Sequence, residues 1–244
     1  MMRNYAIETE KRAEFIRGML ESAGARGVVF GNSGGKDCAL VGALCKAAGA
    51  NTLGVIMPCG SKQNYGSDKS DAETVAAHFG IETRVADLTA VRESLVGAVG
   101  DVLSGAALAN IAPRLRMSTL YAIAQNENRL VAGTGNRSER HMGYFTKWGD
   151  GACDFNPIAD LTVTEVYEFL RHLGAPECVI LKAPSAGLFD GQTDESEMGV
   201  SYKSIDTLLL EGATNERDAA IITRFNKAGE HKRKMPAMYG GGEL

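Results

Sequence analysis

One short run, Gly31-Asn32-Ser33-Gly34-Gly35-Lys36-Asp37-Cys38, combines bare backbone, an ammonium and a carboxylate. Gly34 and Gly35 permit backbone angles closed to other residues and bring amides close to a ligand. The apolar stretch Gly27-Val28-Val29-Phe30 precedes this run, and a helical apolar pattern from Ala39 to Leu44 follows it. The run therefore joins a strand to a helix opening. That helix aims unpaired N–H groups and the positive end of its dipole at the loop, which suits a phosphate or pyrophosphate. The spacing is neither that of the common P-loop nor that of the Gly-x-Gly-x-x-Gly dinucleotide turn. A plain glycine-rich turn would also read Ser-Gly-Gly. Asp37, placed to hold a cation, makes phosphate binding the stronger reading.

A second loop follows another apolar run: Arg129-Leu130-Val131-Ala132 leads into Gly133-Thr134-Gly135-Asn136-Arg137-Ser138-Glu139. Asp37 and Glu139 then stand at the ends of two strands. That is the oxygen set expected for Mg²⁺ held between protein and a triphosphate. The bland alternative makes Thr134 and Asn136 helix caps and puts Glu139 in a first turn beside the dipole. A third stretch, Gly143-Tyr144-Phe145-Thr146-Lys147-Trp148-Gly149-Asp150-Gly151-Ala152-Cys153-Asp154, crowds aromatics, a lysine, carboxylates and glycines together.

These loops need a scaffold that sets strand ends side by side. Apolar runs at 27–30, 52–57, 82–85 and 129–133 read as strands. Helical patterns fall at 4–23, 68–80, 89–100, 106–126, 201–210 and 215–227, with a break near Ser104-Gly105. The first helix is expected to bury Phe15, Ile16, Met19 and Leu20. Thr162 and Glu165 form a capping box ahead of Val166, Phe169, Leu170 and Leu173. Residues 59–67 read as a loop over the strand ends and a candidate lid, and 183–199 as a long loop. Strands alternating with helices predict an α/β fold with a doubly wound, mostly parallel sheet flanked by helices. The loops at 31–38, 58–67 and 133–139 should line one crevice.

The 244 residues are 44% hydrophobic and 23% charged, which supports a folded core. One domain over 1–244 is expected: a helix at about 4–23, a nucleotide-binding core at about 25–180 and C-terminal loop and helices at about 181–244. A net charge of −4 argues against nucleic acid as a partner. Five cysteines without a Cys-x-x-Cys pair read as reduced thiols in the cytoplasm. The N-terminus lacks an apolar signal core and no run reaches membrane-spanning length.

The Ser-Gly-Gly-x-Asp core resembles the PP-loop of ATP pyrophosphatases, which cleave ATP between its α- and β-phosphates and adenylate an acid. The order of further motifs narrows this. Gly-Thr-Gly-Asn-x-x-Glu (133–139), Gly-Tyr-Phe-Thr-Lys-Trp-Gly-Asp-Gly (143–151), Lys-Ala-Pro-Ser-Ala-Gly-Leu (182–188), Gly-Gln-Thr-Asp-Glu (191–195) and His-Lys-Arg (231–233) together resemble NAD synthetase. The resemblance implies an adenine nucleotide alpha hydrolase-like fold, ATP as co-substrate, Mg²⁺, and amidation of deamido-NAD. It implies that Gly31 to Cys38 cradle the phosphates, that Asp37 and Glu139 hold Mg²⁺, and that Thr134 and Ser185 contact ATP. Arg114, Lys147, Asp154, His231 and Lys232 would contact deamido-NAD. Asp150 lies where such enzymes hold the incoming ammonium. Relatives are homodimers, so a two-fold dimer built partly from helices near 106–126 is implied.

Three positions depart from the pattern. Ala112-Pro113-Arg114 stands where the family often has Lys-Ala-Arg, Val163 where it has an ATP-binding lysine, and Cys38 where it has serine. The triphosphate grip is then expected to fall to Lys36, Arg137 or Lys182, and Cys38 to contribute mainly its backbone N–H. Only about 25 residues precede the first loop, too few for a glutaminase domain, so direct use of ammonia is expected. Competing readings are another PP-loop amidotransferase or thiolation enzyme, and an ATP-binding regulatory module without turnover.

Overall fold

The computed structural model describes residues 3–61, 65–100, 102–182 and 193–239. Its strands are β1 (Gly27–Gly31), β2 (Thr52–Ile56), β3 (Glu82–Val85) and β4 (Arg129–Val131). All pair in parallel, in the order β3-β2-β1-β4. Phe30 lies opposite Gly54, Val29 opposite Val131 and Ile56 opposite Val85. The chain winds outward from β1 through β2 to β3, then returns to the other side of β1. The strand order therefore reverses between β1 and β4. In open α/β sheets the crevice beyond the strands' carboxyl ends at such a point is where ligands bind.

Before the reversal the chain forms α1 (Tyr5–Ala23), α2 (Lys36–Ala47), α3 (Ser67–Phe79), α4 (Thr89–Val99), α5 (Gly105–Ala109) and α6 (Ile111–Glu127). After it come α7 (Arg137–Met142), α8 (Val163–His172), α9 (Glu177–Ile180), α10 (Asp194–Met198), α11 (Tyr202–Glu211) and α12 (Glu216–Ala228), then a 3-10 turn at Glu230–Lys232.

Alternation along β1 divides the core, as period-two side chains require. Val28 and Phe30 pack with Ile16 of α1, Leu40 and Leu44 of α2 and Phe169 of α8. Val29 faces the other way, with Leu53, Val55 and Val131 and with Leu120 and Ala124 of α6. A third cluster joins Met142, Val163, Met198, Tyr202, Ile205 and Ile222 beside the sheet. Thr162 caps α8 through the expected box with Glu165.

Several expected details differ. Phe15 is 45% exposed, and Arg12 takes a buried place on α1 instead. The Arg12 guanidinium reaches Asp160 at 2.7 Å and Glu8 at 2.9 Å. The helical pattern at 106–126 is two helices that meet at Asn110, whose side chain donates to the Ala106 carbonyl at 2.7 Å. That local bond competes with helix continuation. Residues 194–198, expected as loop, form α10, capped by Thr193. The remainder of that loop at 183–192, with Ser185, lies outside the described residues, as do residues 62–64 of the expected lid.

Candidate active site

The loop after β1 is built by its own side chains. Asn32 is buried; its amide donates to the Ala72 carbonyl of α3 at 3.0 Å and its oxygen accepts from the Gly34 N–H at 3.3 Å. Gly34 has φ +72°, and a Cβ there would lie 2.5 Å from the Asp68 carbonyl oxygen. Only glycine therefore lets α3 approach the loop. The Cys38 thiol donates to the Gly35 carbonyl at 3.1 Å, so it is spent inside the loop rather than offered outward. Gly35 stands at the N-cap of α2 and has no side chain to cap it, which leaves the first N–H groups of α2 for a ligand.

The second loop meets the first through Asn136, which is fully buried. It caps α7 in a box with Glu139: its side-chain oxygen accepts from the Glu139 N–H at 3.0 Å, and its own N–H donates to Glu139 Oε2 at 3.2 Å. Its amide nitrogen donates across the gap to Asp37 Oδ1 at 3.0 Å. The cap and the two-carboxylate arrangement are thus one structure. The Lys36 ammonium sits between the acids, 2.8 Å from Asp37 Oδ2 and 3.8 Å from Glu139 Oε1. The Tyr202 ring lies 5.6 Å from it. Burial pulls the Lys36 pKa down, but the charges of Asp37 and Glu139 outweigh this and hold it above its ordinary range. Burial, then the Asp37 charge, pushes the Glu139 carboxyl well above the usual carboxylate range. Burial and the charges of Glu139 and Asp194 also raise the Tyr202 phenol, which donates to Asp194 at 3.0 Å.

Both loops open on one cavity of about 690 Å³, lined by Gly31, Ser33, Lys36, Asp37, Thr134 and Glu139 among others. This is within the span of small-ligand sites, roughly 300–1,000 Å³. Pro58, Arg116, Asp150, Lys182, Asp194 and Lys232 also line it. Asp150 is exposed on the cavity wall, and the Thr146 N–H donates to its carboxylate at 3.0 Å. A small neighbouring hollow of about 10 Å³ touches Glu139, Asp150, Cys153 and Asn156, room for about one water-sized molecule. Lys232 donates to the Gly143 and Phe145 carbonyls, both at 2.8 Å, and so ties the third stretch to the chain's C-terminal turn.

Other expected residues stand apart from this wall. Lys147 donates to the His231 carbonyl at 2.8 Å and Arg114 to the Lys147 carbonyl at 3.4 Å, so these three form one group. Asp154 accepts from the Val131 N–H at 2.7 Å and the Tyr121 hydroxyl at 3.2 Å, which anchors the end of β4. Arg137 donates to the Leu209 carbonyl and is absent from the cavity wall, whereas Lys36 and Lys182 are in it. Lys182 is held by Asp68 at 2.9 Å and Asp71 at 2.7 Å. Ala112 and Val163, two of the departures from the expected pattern, are buried in apolar clusters and serve as core here.

Sequence reasoning gave Asn136 only a capping role and assigned no site role to Arg116 or Asp194. Arg116 is partly buried, its Nε donates to the Met57 carbonyl at 3.1 Å, and burial lowers its pKa. Asp194 is 3% exposed, and its signal was present in the Gly-Gln-Thr-Asp-Glu motif. Among the described residues no cluster of three or more His, Cys, Asp or Glu could hold a metal alone. Asp37 and Glu139 are oxygen ligands that already enclose a cation, the Lys36 ammonium. They fit a hard divalent ion whose other ligands come from phosphate and water.

A family model described as NAD synthase matches residues 8–240. An NH(3)-dependent NAD(+) synthetase of Carboxydothermus hydrogenoformans is 46% identical over 238 residues, covering 96% of this chain and 97% of the relative. An NMN synthetase structure from Francisella tularensis matches with TM-score 0.93 at 34% identity, covering 98% of this chain and 100% of that one. An NH3-dependent NAD synthetase from Campylobacter jejuni matches with TM-score 0.79 at 30% identity, covering 97% and 99%.

Proposed function

The chain belongs to the NAD synthase family, and from that premise we infer that it amidates deamido-NAD with ammonia at the expense of ATP. The observation that carries the reading is the junction of the two loops: Asn136 links Asp37 to Glu139 across the strand-order reversal, beside the open N-terminus of α2.

The chemistry follows from what a carboxylate lacks. It is a poor electrophile, so its oxygen first attacks the α-phosphorus of ATP and the bond to pyrophosphate breaks. Ammonia nitrogen then attacks the adenylated carbonyl carbon, the C–O bond to AMP breaks, and the lost proton passes to a base. The N–H groups of α2 and the Lys36 ammonium neutralise the departing pyrophosphate. Thr134 and Ser185 contact ATP. Asp37 and Glu139 hold Mg²⁺, which supplies charge neutralisation across the phosphates. Asp150, fixed by the Thr146 N–H, binds ammonium and helps it lose a proton. Arg114, Lys147, His231 and Lys232 bind the dinucleotide. Asp154, fixed by the Val131 N–H and the Tyr121 hydroxyl, joins them.

The protein works as a two-fold dimer. α4 presents Val91 at 49% exposure, Leu95 at 39% and Val99 at 60%, and it packs on α6, so these helices form the interface. The five unpaired thiols suit the reducing cytoplasm. Among the described residues no helix is long and apolar enough to cross a membrane.

One observation favours a second substrate, nicotinate mononucleotide: the match to an NMN synthetase at TM-score 0.93. NMN and NAD carry the same carboxamide, so the reacting end is shared. The test incubates purified protein with ATP, Mg²⁺, ammonium and each acid in turn. Equal amounts of amide, AMP and pyrophosphate are expected. ADP, or no dependence on the acid, would end the amidation reading, and the ratio of kcat/KM for the two acids decides between them.

A further inference from the structure

We propose that Lys36 is a built-in placeholder for the divalent cation, so that metal enters this site only together with nucleotide. Its ammonium stands between Asp37 Oδ2, at 2.8 Å, and Glu139 Oε1, at 3.8 Å. That is the space a metal ion shared by the two carboxylates must occupy. Lys36 is 7% exposed, and it is the first residue of α2. It is thus anchored at the point where the helix N–H groups meet incoming phosphate.

Two charges of the same sign do not share so small a space. In the nucleotide-free protein the ammonium pairs with Asp37, stands close to Glu139, and keeps a free divalent ion out. Among the described residues the protein brings only these two carboxylates to the position, so the other ligands of an ion there are water or phosphate oxygens. A small divalent ion takes about six oxygens in a near-octahedral shell. A triphosphate removes the obstacle. It brings oxygens for the metal and anionic charge for Lys36, whose flexible four-carbon stem lets the ammonium swing onto a phosphate oxygen. The same side chain first guards the metal site and then grips the nucleotide. The ring of Tyr202, 5.6 Å from the ammonium, gives it a further resting surface.

The proposal rests on Asp37 and Glu139 being the metal ligands. Metal uptake is read without turnover, so its failure is separate from failure of the amidation reading, which the product assay reports. Mn²⁺ is the probe, and electron paramagnetic resonance measures the free ion. Wild-type protein without nucleotide should retain no Mn²⁺ at concentrations where Lys36→Met binds one equivalent. A unit charge a few ångströms away alters divalent affinity by about tenfold or more even with strong screening. Adding Asp37→Asn to Lys36→Met should remove the new site. Uptake by the wild type equal to that of Lys36→Met overturns the proposal, and so does uptake by neither. The wild type alone gives a second test: a structure with Mn²⁺ and the α,β-methylene analogue of ATP. Lys36 Nζ on a phosphate oxygen supports the proposal; Nζ still between the two carboxylates refutes it.

Discussion

Replacing Asn136 with alanine removes two hydrogen bonds made by one buried side chain and keeps the backbone half of the capping box. Its oxygen caps α7 by accepting from the Glu139 N–H at 3.0 Å, the capping box returns through Glu139 to the Asn136 N–H, and its amide donates to Asp37 at 3.0 Å. A lost N-cap costs about 1 kcal/mol. A lost hydrogen bond to a charged group costs about 1.5–3 kcal/mol. The variant should therefore be less stable by roughly 2.5–4 kcal/mol, which lowers the melting temperature of a chain this size by roughly 5–16 °C. Asn136→Ser separates the terms, since serine keeps the cap but cannot reach Asp37. It should recover about 1 kcal/mol and leave the activity defect in place. That defect, read as kcat/KM for ATP by pyrophosphate release, should be about 10- to 150-fold if the whole Asp37 bond acts on the bound nucleotide. An Asn136→Ala protein that melts within 2 °C of wild type, or turns over ATP normally, would refute the claim that this residue joins the loops; the 2 °C margin is about the shift of a surface change.

Four further outcomes follow. Asp37→Asn and Glu139→Gln should each abolish Mg²⁺-dependent AMP release while leaving the far-ultraviolet circular dichroism unchanged; wild-type rates in either would remove it from the metal site. Asp150→Asn should raise the KM for ammonium far more than that for ATP. Leu95→Asp should convert a dimer to monomers in light scattering; an unchanged mass excludes α4 from the interface. Asp160 is pushed up by burial, but Arg12 and Arg3 more than reverse this and hold its pKa low. Its contribution is complete above the unfolded value and lost as pH falls through the folded one. The stability gap between wild type and Asp160→Asn should therefore close below about pH 4, and a gap that widens on acidification contradicts this.

What the sequence disclosed depended on how local its cause was. The loop at 31–38 and the capping box at Thr162 and Glu165 are specified by neighbours a few positions apart, and both form where expected. The parallel order follows from alternating strands and helices, and the two loops do share one cavity. Long-range partners were invisible. Arg12 on a helix face reads as solvated until Asp160 arrives 148 positions later, and that exchange left Phe15 outside. Asn110 interrupts an otherwise continuous helical pattern through one side-chain bond. Asn136 reads as a cap; nothing in its spacing reveals that its other polar atom points at Asp37. Lys36 reads as a phosphate ligand, while its position between two acids needs the fold.

The most direct test of the account follows the oxygen atoms. Deamido-NAD labelled with ¹⁸O in both carboxylate oxygens is turned over with ATP, Mg²⁺ and ammonium, and the AMP is analysed by mass spectrometry. Attack of the carboxylate on the α-phosphorus predicts one ¹⁸O in each AMP formed and none in pyrophosphate. Unlabelled AMP, or label in pyrophosphate or phosphate, would contradict activation of the acid by adenylation.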